Sequence, residues 1–592
     1  MITPMTKYSF ILLNGMQDQL LEDLQGLGLM DITRSTKPVD EHSQKLFGEV
    51  ELLDGLIQGL RKAEVPQDIV PEYIDGDIVR LAGGQLMRYS EDSVDIKALE
   101  KDVLSLKAWG SFDRSILDRL SEAGVPLHFH QLAKKQFTPE WADEYALTVI
   151  SEDDKSINFV VAGEDSLPGE VSVPACSVSE KEKELSEKKA HFQKTLGRIA
   201  SAKQRIPELE KLCADAIQRL DLYLAGVAAV PAAEDTVVTL VGYAPTESDA
   251  AVCELLDKSP VIYLKEKAVV EDNPPIKLKN NWFVRQFELL TDMYGRPDYN
   301  EFDPTPYISV FFLLFFAMCM GDAGYGLVLI IGGILLGKVQ SMKDMAPLVT
   351  ILGIGTFLVG IVMHTFFGVD ISVLPWIPAW LKSVMITGTI AGFEAQMVLA
   401  LVIGVVHLCL AMVVKTVYAT KNKGFLGSLG TWGWTLLIVG GVIVAVLAMA
   451  LSVPAQITKW VVIVLGVLSA LGIFLFNDIH RNPLKNIGSG LWETYNTVTG
   501  LLGDVLSYLR LYALGLAGGM LGKAFNDIAT MTLGDGGFGI IPFAIILIIG
   551  HSLNLAMCCL GAFVHPLRLN FLEFFKNSAY DGKGRAYNPI RK

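Results

Sequence analysis

Two arginines stand where an arginine is costly: Arg510 and Arg568 lie inside, or at the inner end of, long apolar stretches of this 592-residue chain. By insertion scales a guanidinium at membrane depth costs on the order of 3 kcal/mol, so such a residue is a functional candidate by default. At helical spacing around Arg510 come Gly503, Ser507, Ala513 and Ala517, a strip of small residues that lets another helix approach the arginine face closely. Asn554, Gly561 and His565 fall on nearly the same helical face as Arg568, a polar stripe of the sort that lines water or a proton path. Asp322, His364, Glu394, His407, Asp478, Glu493 and Asp504 are further groups able to hydrate or titrate within the apolar half. A structural assignment competes with each. Either arginine can reach the interface or pair with an acid such as Glu493 or Asp504, and the Gly-Asp pair at 321–322 can simply make a turn. The adjacent Cys558 and Cys559 read as packing residues. No GxxxxGK[ST] occurs, since Gly522-Lys523 is followed by Ala524, so the chain has no P-loop with which to bind ATP.

The elements that must hold these groups are membrane helices. From Pro304 onward the spans expected are 307–320, 322–337, 345–367, 396–416, 426–451, 458–477, 496–522 and 539–567, each long enough or nearly so to cross roughly 30 Å of hydrocarbon at 1.5 Å per residue. Gly321-Asp322-Ala323-Gly324-Tyr325-Gly326 favours a break between the first two. With the N-terminus in the cytosol, eight spans leave twelve basic residues on the inner side and only Lys382, Lys459 and Lys523 outside, as the positive-inside rule requires. Merging the first two spans inverts every later loop and destroys that asymmetry.

The front of the chain is chemically different. Residues 1–300 hold 33 Lys and Arg against 51 Asp and Glu, whereas residues 301–592 hold 17 against 13. An acidic, solvated half with no basic stripe repels nucleic-acid phosphates, so nucleic acid is not expected as a partner. Seven cysteines without a CxxC suggest neither a disulfide framework nor a zinc site. No basic flank leads into a cleavable apolar core, so no signal peptide is expected. Lys7 to Leu13 reads as a strand, Gln17 to Leu29 as a helix and Ile32 as the start of an extended piece, together a small α/β unit. Polar helical segments follow at roughly 41–63 and 91–123. From 178 to 224 Leu185, Phe192, Ile199, Ile206, Cys213 and Leu220 recur every seven residues, one apolar edge along a long helix that Pro207 should kink. This edge serves either a partner helix or a globular core. Strand composition near 127–175 and 235–268 gives a second α/β lobe.

On these residues the chain resembles the a subunit, or subunit I, of V-type and archaeal A-type rotary ATPases. The resemblance is carried by Ser507-Tyr508-Leu509-Arg510-Leu511-Tyr512-Ala513-Leu514-Gly515-Leu516-Ala517 and by Gly550-His551 through Asn554 to Gly561-Ala562-Phe563-Val564-His565-Pro566-Leu567-Arg568-Leu569-Asn570-Phe571-Leu572-Glu573-Phe574-Phe575. It extends through Met293-Tyr294-Gly295-Arg296-Pro297, Asp303-Pro304-Thr305-Pro306 and Met320 to Gly326, and weakly through Ala108-Trp109-Gly110-Ser111-Phe112-Asp113. The fold it implies is an α+β cytosolic dumbbell, two small α/β lobes joined by long coiled-coil helices over residues 1–300, followed by an all-α membrane domain of eight transmembrane helices over 301–592. It further implies a stator in a prokaryotic plasma membrane with both termini cytoplasmic. Its partners would be a proteolipid ring, coiled-coil peripheral-stalk subunits and a central-stalk cap subunit. By the same resemblance Arg510 and Arg568 face ring carboxylates, and two half-channels draw on Ser507, His551, Asn554, His565, Glu493, Asp504, His407 and Glu394. No cofactor or metal is expected on this chain, ATP being used by other subunits. One departure stands out: eukaryotic members carry a Glu about ten residues before the second arginine, where this chain has Cys558. Two other classes make different demands on the sequence. A secondary ion transporter with a regulatory coiled-coil domain predicts matching broken helices in two related halves, and no internal repeat is visible. A membrane-anchored coiled-coil scaffold gives no reason for Arg510.

Overall fold

A computed structural model describes residues 1–591 except 14, 36, 67, 73–75, 108, 111–113, 135, 138–140, 142–144, 153–155, 164–166, 172–177, 233–236, 340–341, 376, 391, 452–453, 476–482 and 533–539. Asp478, one of the acids singled out above, and most of the 108–113 motif therefore lie outside the described residues. The chain forms two compact units. One comprises Met1–Leu12, Leu27–Ile32 and Thr239–Pro589, and the other Leu13–Gly26, Thr33–Val238 and Ile590–Lys592.

In the second unit, α1 (Gln17–Leu27) is followed by two long helices, α2 (Glu41–Lys62) and α3 (Ile78–Lys107), and by the short α4 (Arg114–Glu122). The seven-residue apolar edge occupies two helices, α5 (Val178–Gln204) and α6 (Ile206–Val227). They are separated at Arg205, with Pro207 in the first turn of α6, where its missing N–H costs nothing. The edge is covered from within the chain. Ile199, Leu209, Cys213 and Ala216 share a core with Leu53, Leu56, Leu60, Ile78 and Ala82 of α2 and α3, and Phe192 of α5 stacks on Tyr89 of α3 at 5.5 Å. Helix α3 starts well before the expected position near 91. Gly83-Gly84 weakens its local helix signal, and burial of Ile78 and Ala82 overrides that weakness. A four-stranded antiparallel sheet of order β4-β5-β3-β6 combines β3 (Leu127–Ala133), β4 (Leu147–Glu152), β5 (Ser156–Ala162) and β6 (Glu170–Val171) around Ile157, Phe159 and Val161.

The second unit also holds the short β7 (Val230–Ala232); the first unit opens with a sheet ordered β2-β8-β1-β9, built from β1 (Met5–Leu13), β2 (Asp31–Ile32), β8 (Val237–Pro245) and β9 (Ile262–Lys267). Alternation along β1 buries Tyr8, Phe10 and Leu12. Tyr8 donates its hydroxyl to Asp249 at 2.8 Å, at the start of α7 (Asp249–Leu256).

Apart from two short hairpins, Thr365–Phe366 with Val369–Asp370 and Thr389–Ile390 with Phe393–Glu394, the elements that follow are helical, chiefly α8 (Thr305–Met320), α9 (Ala323–Leu336), α10 (Ala346–Val362), α11 (Ala395–Gly427), α12 (Leu429–Ala450), α13 (Ala455–Leu475), α14 (Pro483–Ser507), α15 (Leu509–Met531) and α16 (Ile540–Arg568). Among the described residues five stretches are long and apolar enough to cross a membrane: α11, α12, α13, Asn486–Met531 through α14 and α15, and Ile540–Ser578 beginning with α16. Helices α8, α9 and α10 are shorter and apolar. The break expected at 321–322 is present: Gly321 takes φ 57° after α8, and the Asp322 side chain caps α9. Helices α9 and α10 meet through glycines. A Cβ at Gly326 would lie 2.5 Å from Phe357 N, and one at Gly360 2.2 Å from Ala323 N, so larger residues would force the pair apart. An aromatic core of Phe312, Phe315, Tyr508, Phe574 and Phe575 packs α8 and α15 against the segment following α16.

Candidate functional site

Arg510 lies in the first turn of α15, two residues past Tyr508, where α14 gives way to α15. Tyr508 is fully buried and hydrogen-bonds His407 Nδ1 on α11 at 2.9 Å. Gly404 makes room for it, since a Cβ there would lie 2.3 Å from the tyrosine ring. Arg510 is half-buried. Among the described residues no hydrogen bond or ion pair engages it or Arg568, and the pairing with Glu493 or Asp504 weighed above is not made. Asp504 instead faces Lys576 at 3.4 Å and accepts from Asn577 Nδ2 at 2.9 Å. The small-residue strip is open: Gly503, Ala513 and Ala517 are exposed, and Ser507 bonds back to Gly503 O at 3.0 Å.

Arg568 ends α16 two residues after Pro566, whose missing N–H interrupts the helical ladder, and a π turn over Leu569–Phe574 follows. Its side chain is exposed. His565, one turn earlier, lies within electrostatic reach of both guanidiniums, so residues 55 positions apart converge.

Two clefts flank this region. A cleft of about 450 Å³ is lined by His364, Asp370, Glu394, Gln396, Tyr512 and Lys523. In it the Tyr512 hydroxyl hydrogen-bonds Glu394, and His364 Nδ1 lies 3.1 Å from Asp370. A second cleft, of about 250 Å³, is lined by Lys415, Glu493, Asn496, Asp504, Lys576 and Asn577. Tyr512 closes one cleft and Asp504 the other, so Arg510 falls between the two along the chain.

The remaining candidates lie elsewhere. His407 is fully buried and stacks on Phe574 at 4.8 Å and 9°, so it touches neither cleft. His551 and Asn554 join a buried cluster with Tyr325 and Asn526. Asp322, 1% exposed, accepts four backbone N–H groups, from Gly324, Tyr325, Phe367 and Gly368 at 2.7–3.3 Å. The sequence reading missed Tyr325, Tyr512, Asn526 and Lys576 as members of polar clusters. The available signal was weak: a tyrosine or asparagine inside an apolar helix has no partner until the fold supplies one. Among the described residues no group of His, Cys, Asp and Glu could hold a metal ion, and the described cysteines are free thiols.

Residues 178–355 match the V-type ATPase 116 kDa subunit family. The V-type ATP synthase subunit I 1 of Treponema pallidum is 25% identical, and subunit I of Borreliella burgdorferi is 26% identical, each aligned over the whole of both chains. Over its whole length this chain is similar to V-type ATP synthase subunit I. The A-type ATP synthase subunit I of Methanocaldococcus jannaschii is 32% identical over 54% of this chain, and the match spans about half the relative's length, 49%. A solved structure described as the cytoplasmic N-terminal domain of subunit I, homolog of subunit a, of V-ATPase covers 44% of this chain and all of its own at 14% identity and a TM-score of 0.20, too low to carry a comparison of folds.

Proposed function

We propose that this chain is the non-nucleotide-binding membrane stator of a V/A-type rotary ATPase, coupling movement of H⁺ or Na⁺ to ATP hydrolysis or synthesis on other subunits. In this reading residues 301–592 cross a prokaryotic plasma membrane eight times with both termini cytoplasmic. Residues 1–300 form a dumbbell of two α/β lobes on coiled arms, which docks coiled-coil peripheral stalks and a central-stalk cap subunit. The cleft at Glu394 and Tyr512 is the outer half-channel, and the cleft at Glu493 and Asp504 is the inner one. A proteolipid ring turns against the open strip of Gly503, Ala513 and Ala517, and this chain binds no cofactor of its own.

The observation that carries the reading is Arg510: half-buried, bonded to no acid among the described residues, on an exposed small-residue face, and between Asp504 and Tyr512 in the chain, each of which lines one of the two clefts. A carboxylate on a partner crosses lipid cheaply only when neutralised by its ion. Beside a fixed guanidinium its ionised form is favoured, so the ion is released. The same charge repels a cation passing straight from one cleft to the other. The test is ATP-driven ion transport by the purified complex carrying Arg510→Ala. Transport should be lost while the head retains ATP hydrolysis, and a variant that transports at the normal rate removes Arg510 from the mechanism.

A further inference from the structure

The polar cluster of Tyr325, Asn526, His551 and Asn554 has a single consistent hydrogen-bond assignment. Asn526 Nδ2 lies 2.7 Å from Phe367 O, which can only accept, so the Asn526 side-chain oxygen faces His551. His551 Nε2, 3.0 Å from that oxygen, must then donate, which leaves Nδ1 of the neutral ring as an acceptor. Tyr325 Oη, 2.8 Å away, donates to Nδ1 and accepts from Asn554 Nδ2 at 2.8 Å. The second Asn554 N–H goes to Gly518 O at 2.9 Å. Each donor in this chain has an acceptor. A second proton on His551 would face the tyrosine hydroxyl and leave the tyrosine's own hydrogen without one.

These bonds join α15 to α16 directly. Among the described residues, Asn554 to Gly518 and His551 to Asn526 are the only side-chain hydrogen bonds between the two helices. The packing agrees with them. A Cβ at Gly550 would lie 2.5 Å from the Phe525 ring, one at Gly518 2.7 Å from Cys558 Sγ, and one at Gly561 4.0 Å from Leu514. Each step forward along α15 meets a step back along α16, one antiparallel register throughout. Continued to the start of α15, it sets Arg510 level with the stretch that holds His565 and Arg568. A slip of one helical turn would displace one guanidinium about 5.4 Å from the other. Apolar packing alone opposes such a slip weakly, because lipid-facing side chains lose little by it.

We infer that Tyr325, Asn526, His551 and Asn554 are positioning residues that lock α15 to α16 in register and thereby hold Arg510 and Arg568 at one level. The inference rests on the stator reading proposed above, and it assigns His551 to the lock and not to an ion path.

The test uses the whole rotary complex carrying Leu514→Cys and Gly561→Cys, whose thiols should oxidise to a disulfide mapped by mass spectrometry. Two near-isosteric changes are added separately: Asn554→Leu, which cannot bond Gly518 O or Tyr325, and Tyr325→Phe, which removes only the central hydroxyl. Asn554→Leu should lower both the yield of this disulfide and ATP-driven ion transport, the latter on the order of tenfold, and Tyr325→Phe should lower both by less. Transport lost at unchanged disulfide yield, yield lost at unchanged transport, or no change in either overturns the lock. Absence of ATP-driven transport in the unsubstituted complex would instead count against the stator reading.

Discussion

Asp322 shows how one side chain can close a hairpin of apolar helices. Its carboxylate caps α9 and also holds the backbone of Phe367 and Gly368, 45 and 46 residues away. Asp322→Ala strips four backbone donors of their acceptor in a site closed to water, each worth about 1–3 kcal/mol when left unpaired. The expected outcome is a loss of several kcal/mol, read as a large fall in the melting temperature of the purified chain in detergent. Asp322→Asn keeps one acceptor oxygen and should fall between the two. In the sequence this aspartate looks like half of a Gly-Asp turn, and the turn is real. Its grip on a loop beyond the next helix was not legible, because nothing local marks Phe367 and Gly368 as donors in need of an acceptor.

Among the elements, the segment after Tyr580 is held by backbone contact. Tyr580 donates to Gly295 O at 2.7 Å, Gly584 N to Arg296 O at 2.9 Å, and Tyr587 Oη to Leu29 O at 2.7 Å. The segment thus runs from the membrane helices past residues 295–297 to the N-terminal sheet within one compact unit. A Cβ on Gly584 would fall 1.9 Å from Pro297 O, an overlap with rigid backbone. Gly584→Val should therefore detach the segment and cost about 1–3 kcal/mol or more, seen as faster proteolysis after Tyr580 while the membrane helices stay protected. For α5 and α6, by contrast, the heptad edge was plain from spacing alone. Its partners on α2 and α3 were not, since an apolar edge fits any complementary one.

At the scale of the whole molecule the two units should respond to acid differently. In the β4-β5-β3-β6 sheet His130 is fully buried and stacked on Phe159 at 5.2 Å. Burial penalises its charged form and holds its pKa below the ordinary value near 6.5. The unfolded chain then takes up a proton that the folded sheet refuses, so this contribution to stability is full above pH 6.5 and is lost as pH falls through the folded value. In the N-terminal sheet Asp272 bonds Lys7 at 2.5 Å, which lowers its carboxyl below the ordinary 3.8. That contribution persists until pH drops through the carboxylate range. Hydrogen exchange followed while the pH is lowered should show residues 127–171 losing protection before β1 and β9. The reverse order, or simultaneous loss, would remove His130 as the cause.

Hydropathy, charge balance and the arginine motifs are local or compositional properties, so the sequence by itself determined an acidic front, a set of apolar helices, two arginines within or at the end of apolar stretches and a resemblance to subunit I. Which polar groups meet was decided only by the tertiary structure. Tyr512 finds Glu394 across 118 residues and Asn554 finds Tyr325 across 229. Such pairs depend on the register of antiparallel helices, and a shift of one turn, invisible to any pattern of hydrophobicity, would exchange every partner.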